Sequence, residues 1–588
     1  MASVTAWAQT GVTGAVSTSA NTFGSTDVEA SLTGQTGRLV VSLDGGYERQ
    51  SKRETWSSEE LNRTIPTMNA TLTGYKDGED PMRQLWAKLS ASYDLDSLNL
   101  LSASLGGYFM KHDMLYNGYS TLDDHTFGFS ETIRYRESLP NRRYRSWNGK
   151  LDYQHMTCRP GEVLTLSYML SLSRKHEDTL TDFFDEDGTP MVSQQDLETT
   201  VNRFTEHTFQ ADWVRPLGRG HQLELGAKHI YRFDHSHFAD YLLGGGTVDQ
   251  KKPYIDDPLE HVTRVTGAYA DYLFQTSRWT LQAGLRYEHT YLFSDYMEEG
   301  LDNFTSHQNH WLPQACVTWR PTDQQTLKLS YASSVQRPGI IMLNSAVTGT
   351  PTMEYLGNPQ LIAANTYTLA LDYQWETPRL TLRVIPAFKW TNDGLTAMEL
   401  CGEEIRLQTY DNGLRYRSFQ IGQQVQWKPF ATTTFELDNT VVYDYNNHVE
   451  WKYTNDSWTD KYKVTIQQQM PWKLNLTLGG EGQIGRKAID AYSRMYSWYS
   501  YHVSLERSFL KDDRLTVSVD AKNIFNRTLS VTSSVVNGSF SESNVVSTRG
   551  RQFSITVAYR FGSLKTKVKK TEHTIENDDL IGGIYEEH

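Results

Sequence analysis

Apolar and polar residues alternate one for one through many short stretches of this chain. Trp279, Leu281, Ala283, Leu285 and Tyr287 alternate with Thr280, Gln282, Gly284, Arg286 and Glu288. Leu327, Leu329 and Tyr331 alternate with Lys328 and Ser330, and Trp472, Leu474, Leu476 and Leu478 with Lys473, Asn475 and Thr477. Leu515, Val517, Val519 and Ala521 alternate with Thr516, Ser518 and Asp520. Successive side chains of a strand point to opposite faces, so each stretch predicts a strand with one apolar and one polar face. Arg286, Glu288, Lys328 and Asp520 fall on the polar faces.

The connectors between these strands alternate too. Short ones such as Gly34-Gln35-Thr36-Gly37, Asp94-Leu95-Asp96-Ser97, Leu217-Gly218-Arg219-Gly220 and Leu510-Lys511-Asp512-Asp513 take turns with long polar ones at 52–82, 111–144, 176–202, 234–258 and 335–364. Tight turns at one end and long loops at the other describe an all-β fold: a transmembrane antiparallel up-and-down β-barrel with short periplasmic turns and long extracellular loops. The spacing predicts about 22 strands, each with roughly ten residues in the bilayer. A one-sided sheet on a soluble core would show the same alternation, but it has no reason to keep all long loops on one parity.

Composition agrees. No window approaches a membrane-spanning apolar run, and mean hydropathy is −0.57, yet a barrel crosses a bilayer while reading as hydrophilic, because half of each strand faces water. The net charge of −13 and the lack of a basic stripe argue against nucleic-acid binding. Cys158, Cys316 and Cys401 are too few and scattered for a disulfide framework or a zinc site.

Six tryptophans, Trp213, Trp279, Trp319, Trp375, Trp427 and Trp472, lie within a few residues of short turns. An aromatic girdle at the periplasmic interface would sit there. Pro160, Pro216, Pro321, Pro378, Pro429 and Pro471 mark strand ends, where a missing backbone donor does least harm.

Residues 1–20 carry neither a basic start nor a long apolar core, so they predict no signal peptide. The expected division is an N-terminal stub at 1–10, read as the end of a missing plug linker, a barrel over 11–561, and a polar periplasmic tail over 562–588. Phe553, Ile555, Val557, Tyr559 and Phe561 form an alternating apolar face at the end of the barrel. It is similar to the signal that outer-membrane insertion machinery reads on last strands. The tail carries Lys565, Lys567, Lys569 and Lys570, then Glu576-Asn577-Asp578-Asp579.

Three motifs carry a family resemblance. Ala521-Lys522-Asn523-Ile524-Phe525-Asn526-Arg527 resembles a signature of the penultimate strand of TonB-dependent outer-membrane receptors. Leu329-Ser330-Tyr331, Arg337-Pro338 and Gly357-Asn358-Pro359-Gln360-Leu361 resemble a mid-barrel pattern of the same family, although Ile362-Ala363-Ala364-Asn365 replaces the usual Pro-Glu. The ending Tyr559-Arg560-Phe561-Gly562 resembles the Bacteroidota branch of outer-membrane barrels. The resemblance covers the barrel alone, without the family's plug domain or TonB-engaging segment. It implies a receptor-type transporter that binds a ligand at extracellular loops for uptake. The alternative is a plugless passive channel or structural surface barrel without energy coupling. Implied partners are outer-membrane lipid and the barrel assembly machinery, with the TonB complex only if a plug and its coupling segment lie upstream. A surface lipoprotein lid stays open as a partner.

No nucleophile elbow, phosphate loop or zinc-protease motif appears, so no catalytic residue, metal ligand or cofactor is assigned and no enzyme is expected. Asp234-His235-Ser236-His237 with Asp240, read as a long loop, has two imidazoles that could hold a transition metal, against the blander reading of a polar surface loop. Asp185-Glu186-Asp187-Gly188 has the oxygen density calcium favours but lacks a downstream bidentate Glu.

Overall fold

The computed structural model describes residues 10–191, 195–243, 255–296, 303–344, 348–350, 353–401, 406–564, 567–571, 575, 577 and 579–581. The expected stub at 1–10, except Thr10, lies outside these residues, as do Lys565, Glu576 and Asp578 of the tail.

The wall is a closed antiparallel barrel of 22 strands. Each strand pairs with the next along the chain, and the first, Thr10–Asn21, closes the ring on the last, Gln552–Gly562, from Thr13 opposite Gly562 to Asn21 opposite Ser554. Closure satisfies every edge, which an open sheet in lipid could not do. At the short-turn end, Gly220 at φ +83 joins two strands where a Cβ would lie 2.0 Å from the Gln275 carbonyl oxygen, so only glycine fits.

Outward-pointing apolar residues form the belt that lipid requires. Val12, Leu43, Leu89, Leu151, Leu285, Leu329, Leu478 and Ile555 are all exposed. Inward neighbours are polar and buried, among them Ser92, Asp152, Thr208, Arg232 and Glu288. This is the inverse of a soluble protein, and it follows from period-two patterning around a closed wall.

The segments read as long loops are mostly strand. Asn99–Asp124 and Phe129–Met156 are 26 and 28 residues long, and Asp196–Gly218 and His221–Leu242 run 23 and 22. At about 3.3 Å per residue and a tilt near 45°, 28 residues rise roughly 65 Å, about twice the hydrocarbon thickness. Above the lipid the outer face meets water, so it no longer needs apolar residues. The alternation fades there although the strand continues.

Elsewhere the barrel strands are short, 11 residues each for Thr26–Thr36 and Leu39–Arg49. There the connectors fold as added hairpins. Ser493–Met495, Thr528–Val536, Ser541–Arg549, Trp56–Ile65 and Ala70–Glu79 pair in that order and join the upper half of Asn99–Asp124. This ribbon has its own core of Ile65, Ala491, Tyr492, Val535 and Phe540. An ion pair crosses it, Arg63 Nε to Glu542 Oε2 at 2.8 Å, with side chains 1% and 3% exposed.

Part of the tail expected over 562–588 is described, and its contacts are with the wall. The polar partners of the described tail residues Lys569, Ile575, Asn577 and Asp579 are inward-facing groups of the wall or a group at a strand end, so these residues lie in the lumen. Its described polar groups match those of the inner wall.

Candidate functional site

The upper lumen holds a cavity of about 760 Å³, within the usual range of roughly 300–1,000 Å³ for ligand sites. One side is aromatic. Tyr108 and Tyr144, ring centres 5.7 Å apart, pack with Phe204 and Ile340. The other side is charged and polar, with Glu206, Arg232, Asp234 and His261. Long neighbouring strands place these groups at one height, because inward positions recur every second residue.

Beside the cavity runs an ion network. Arg232 Nε donates to Glu206 Oε2 at 2.5 Å. Glu288 accepts from Arg286 at 2.6 Å and from Arg337 at 2.5 Å. Arg337 also donates to the Thr290 hydroxyl at 3.0 Å. Asp579 of the tail lies between the two buried guanidiniums, accepting from Arg232 at 2.7 and 3.0 Å and from Arg337 at 2.6 Å. Buried charges persist when paired this closely.

The mid-barrel motif thus has a structural account. Arg337 is the lumenal clamp, and Pro338 ends its strand at the cavity lining. Gly357 donates its amide to the Asn344 carbonyl at 2.7 Å, and a Cβ there would lie 2.1 Å from that oxygen. Asn358 donates its amide to the Met342 carbonyl and its side chain to the Tyr410 carbonyl. Pro359 follows in a turn before Leu361, which is buried against Met342, Leu343 and Tyr410. The motif ties a rim connector down over the wall.

The second motif closes a strand at the rim. Asn523 sits at φ +48, and its side-chain oxygen accepts from the Tyr501 amide at 3.0 Å. Asn526 accepts from the Tyr501 hydroxyl at 3.0 Å, and the exposed Phe525 stacks on the Tyr501 ring.

The six tryptophans all lie at the short-turn end. Trp279, Trp319, Trp427 and Trp472 are exposed, Trp213 and Trp375 half-exposed, and Trp279 stacks on Trp319 with ring centres 5.7 Å apart. In the closing strand Phe553, Ile555 and Tyr559 are exposed on the outer face, with Val557 and Phe561 part-covered. Of the polar-face residues, Glu288 joins the ion network with Arg286, while Lys328 and Asp520 lie lower in the wall and make no contact with it among the described residues.

The two metal readings meet a different geometry. Asp234–Asp240 is not a loop but part of the strand His221–Leu242. Asp234 and Ser236 are buried inward, while His235 and His237 alternate to the other face beside Glu260 and Asp256. Strand alternation separates the imidazoles from the carboxylate. Asp185 uses its side chain on the Thr189 amide at 2.7 Å, within a turn. Among the described residues, no group of three or more metal-ligating side chains converges. Sequence reasoning missed Glu206 and Arg232, which no motif marks. Their signal was only a charged residue in a stretch that continues a strand.

A family profile described as "Outer membrane protein beta-barrel family" matches residues 155–559. Among curated proteins, a hemophilin receptor of Acinetobacter baumannii is 25% identical over 313 residues, which cover 51% of this chain. The chain spans about a quarter of that relative, 26%. Among solved structures, the ferric yersiniabactin uptake receptor FyuA from Yersinia pestis matches with TM-score 0.60 at 13% identity, covering 94% of this chain and 81% of that one. The copper transporter OprC matches with TM-score 0.65 at 12% identity, covering 94% and 81%. The siderophore receptor PiuA from Acinetobacter baumannii matches with TM-score 0.60 at 11% identity, covering 95% and 82%. These structural likenesses speak for the fold.

Proposed function

Since this chain belongs to the outer membrane protein beta-barrel family and lies in the outer membrane, we propose that it is the barrel of a receptor-type transporter. It captures a ligand at its extracellular ribbons and takes it towards the lumen. The observation that carries this reading is the upper cavity, aromatic on one side and charged on the other, beneath a tall folded rim. A sieving pore needs a hydrated channel and no such pocket. The barrel does no bond chemistry here. It supplies surface, pocket and route.

By analogy with the ferric yersiniabactin uptake receptor and the siderophore receptor, the ligand class proposed for this chain is a chelated metal. Tyr108, Tyr144 and Phe204 would stack on a planar chelate, and Arg232 would meet its carboxylates or hydroxamates. Energy coupling through TonB belongs to this reading only with a plug and its coupling segment. The barrel assembly machinery and a surface lipoprotein are further proposed partners, and the closing-strand residues Phe553, Ile555, Val557, Tyr559 and Phe561 are the proposed insertion signal. The six tryptophans are proposed to fix the depth of the barrel in the bilayer.

The test is calorimetric binding to the purified chain in detergent, with a panel of ferric citrate, a ferric catecholate, a ferric hydroxamate, haem and a copper salt. Binding by one member, weakened at least tenfold in Tyr144→Ala, is the expected result. If no member binds more tightly than millimolar, or if Tyr144→Ala binds the hit equally well, the receptor reading fails at this cavity.

A further inference from the structure

The described part of the C-terminal tail climbs the inner wall. Near the short-turn end, the Lys569 amide donates to the Ser92 hydroxyl at 3.0 Å and its ammonium to Asp94 at 2.5 Å. Thr571 and Ile575 are buried, and the Ile575 carbonyl accepts from Lys150. Asn577 donates to Glu206 at 2.7 Å and to Thr208 at 2.8 Å. Asp579 then meets Arg232 and Arg337, and its carbonyl accepts from the Arg337 amide at 2.7 Å. Leu580 and Ile581 pair in parallel with Arg337 and Pro338. Arg232 stands 11 residues along its strand from His221. At about 3.3 Å per residue and 45° tilt, the segment climbs roughly 25 Å, nearly the height of the hydrocarbon layer.

Its contacts are specific at each level. A cation meets a carboxylate at the bottom, and at the top an amide meets Glu206 beside a carboxylate held by two guanidiniums. Within the bonded network at the top, Arg232, Arg286 and Arg337 face Glu206, Glu288 and Asp579. Without Asp579 this bonded network sets three guanidiniums against two carboxylates. A planar guanidinium pair holding one carboxylate through three hydrogen bonds and a main-chain bond is a built acceptor for an acidic peptide.

We propose that Arg232 and Arg337 form a lumenal binding site for an acidic peptide segment, and that this chain fills it in cis through Asp579, so that Lys569, Ile575, Asn577 and Asp579 of the tail narrow its own lumen along the wall. Any other acidic segment or carboxylate ligand that reaches this depth must displace Asp579 first. The proposal shares Arg232 with the uptake reading, but conductance is read without any transported ligand, so failure of one is distinguishable from failure of the other.

The test is single-channel conductance in planar lipid bilayers, using the 588-residue chain, a form ending at Thr566, and Asp579→Asn. Heat-modifiable migration on gels confirms that each has folded. The full chain should conduct weakly, the shortened form at least fivefold more, and Asp579→Asn should flicker between the two levels. A synthetic peptide of residues 567–588, added on the short-turn side, should block the shortened form. The same peptide carrying Asp579→Asn should need at least tenfold more to do so. Equal conductance of the full and shortened chains overturns the narrowing of the lumen. Equal block by the two peptides overturns the carboxylate site, even if the tail occludes the pore by bulk alone. Should the shortened form fail to fold, trypsin cleavage at Lys567, Lys569 and Lys570 in the intact chain decides. Protection in the native chain, lost in Asp579→Asn, supports the proposal, and cleavage at equal rates in both refutes it.

Discussion

Replacing Glu542 by Gln should open the extracellular ribbon and leave the barrel beneath it intact. Glu542 faces Arg63 at 2.8 Å with both side chains almost wholly buried, and the guanidinium lies 5.6 Å from the Phe540 ring centre. At an effective dielectric of 20, charges 2.8 Å apart attract by about 6 kcal/mol. Desolvating each ion costs several kcal/mol, so the pair roughly breaks even against an apolar substitute. Removing only one charge is different: the ion pair is lost while the other charge stays buried, a loss of about 3–5 kcal/mol. The core around it, Ile65, Ala491, Tyr492, Val535 and Phe540, is too small to absorb that loss. Hydrogen exchange reads this directly. Amides of Trp56–Ile65 and Ser541–Arg549 should exchange roughly two to three and a half orders of magnitude faster in Glu542→Gln, at about 1.4 kcal/mol per tenfold. Those of Trp279–Tyr296 should not change. The double variant Arg63→Met with Glu542→Leu should come within about tenfold of the parent if area burial replaces the ion pair. An acceleration below tenfold in Glu542→Gln would refute the reasoning, and so would a double variant as labile as the single one.

Gly357→Ala should loosen the rim connector by at least about 1–3 kcal/mol, because the new Cβ meets backbone of Asn344 that cannot step aside; proteolysis between Ile340 and Leu361 reports it, and an unchanged cleavage rate counts against the motif's packing role. Asn523→Ala removes the bond to the Tyr501 amide and leaves a left-handed backbone without its favoured residue, together costing about 2–3 kcal/mol. Asn523→Gly should be the milder change, and a reversed order in thermal denaturation contradicts the backbone argument. For the tail, burial pushes the Asp579 carboxyl up, but Arg232 and Arg337 outweigh it and hold it well below the usual carboxylate range. A depressed carboxylate contributes in full above its free value and loses that contribution as pH falls through the bound value. Exchange protection of Thr571 and Asp579 should therefore hold from pH 7 to 5 and weaken only from about pH 4 downwards, near the ordinary Asp value. Loss between pH 7 and 5 would mean that a group other than Asp579 holds the tail. Trp279→Ala with Trp319→Ala should cut quenching by lipids brominated near the headgroup; unchanged quenching would place the girdle elsewhere.

The barrel was readable because lipid imposes a strict rule on each outward residue. Where Leu281 and Leu285 meet acyl chains, Gln282 and Arg286 must face inwards, and the period shows. The strand count followed from turns such as Leu217-Gly218-Arg219-Gly220, whose residue types are dictated by backbone angles. The upper wall was not readable for the same reason in reverse. Around Asp178 or Asp234 both faces meet water or a polar lumen, so no hydrophobic period survives and a strand looks like a loop. Hairpins such as Trp56–Ile65 with Ala70–Glu79 carry some alternation, but their apolar side is small, and it is buried by partners hundreds of residues away.

The lumenal network shows a second limit. Arg337 was visible as part of a motif, and Glu288 as a polar-face residue, but nothing local indicates that they touch. Their meeting depends on the order of strands around a ring and on the height at which each crosses the lumen. Asp579 is harder still. A run of lysines followed by Glu576-Asn577-Asp578-Asp579 has the composition of a solvated tail, and the sequence contains no sign of which side of a membrane wall will solvate it. What distinguishes lumen from periplasm is the partner set: Ser92, Asp94, Lys150, Glu206, Thr208, Arg232 and Arg337 lie on seven of the described contacts of one segment. Polar segments go where polar partners are fixed in place, and in an inverted protein the richest fixed array is the interior. A charged tail beside such a barrel therefore has a reason to enter it, and the two arginines give that entry a defined end point.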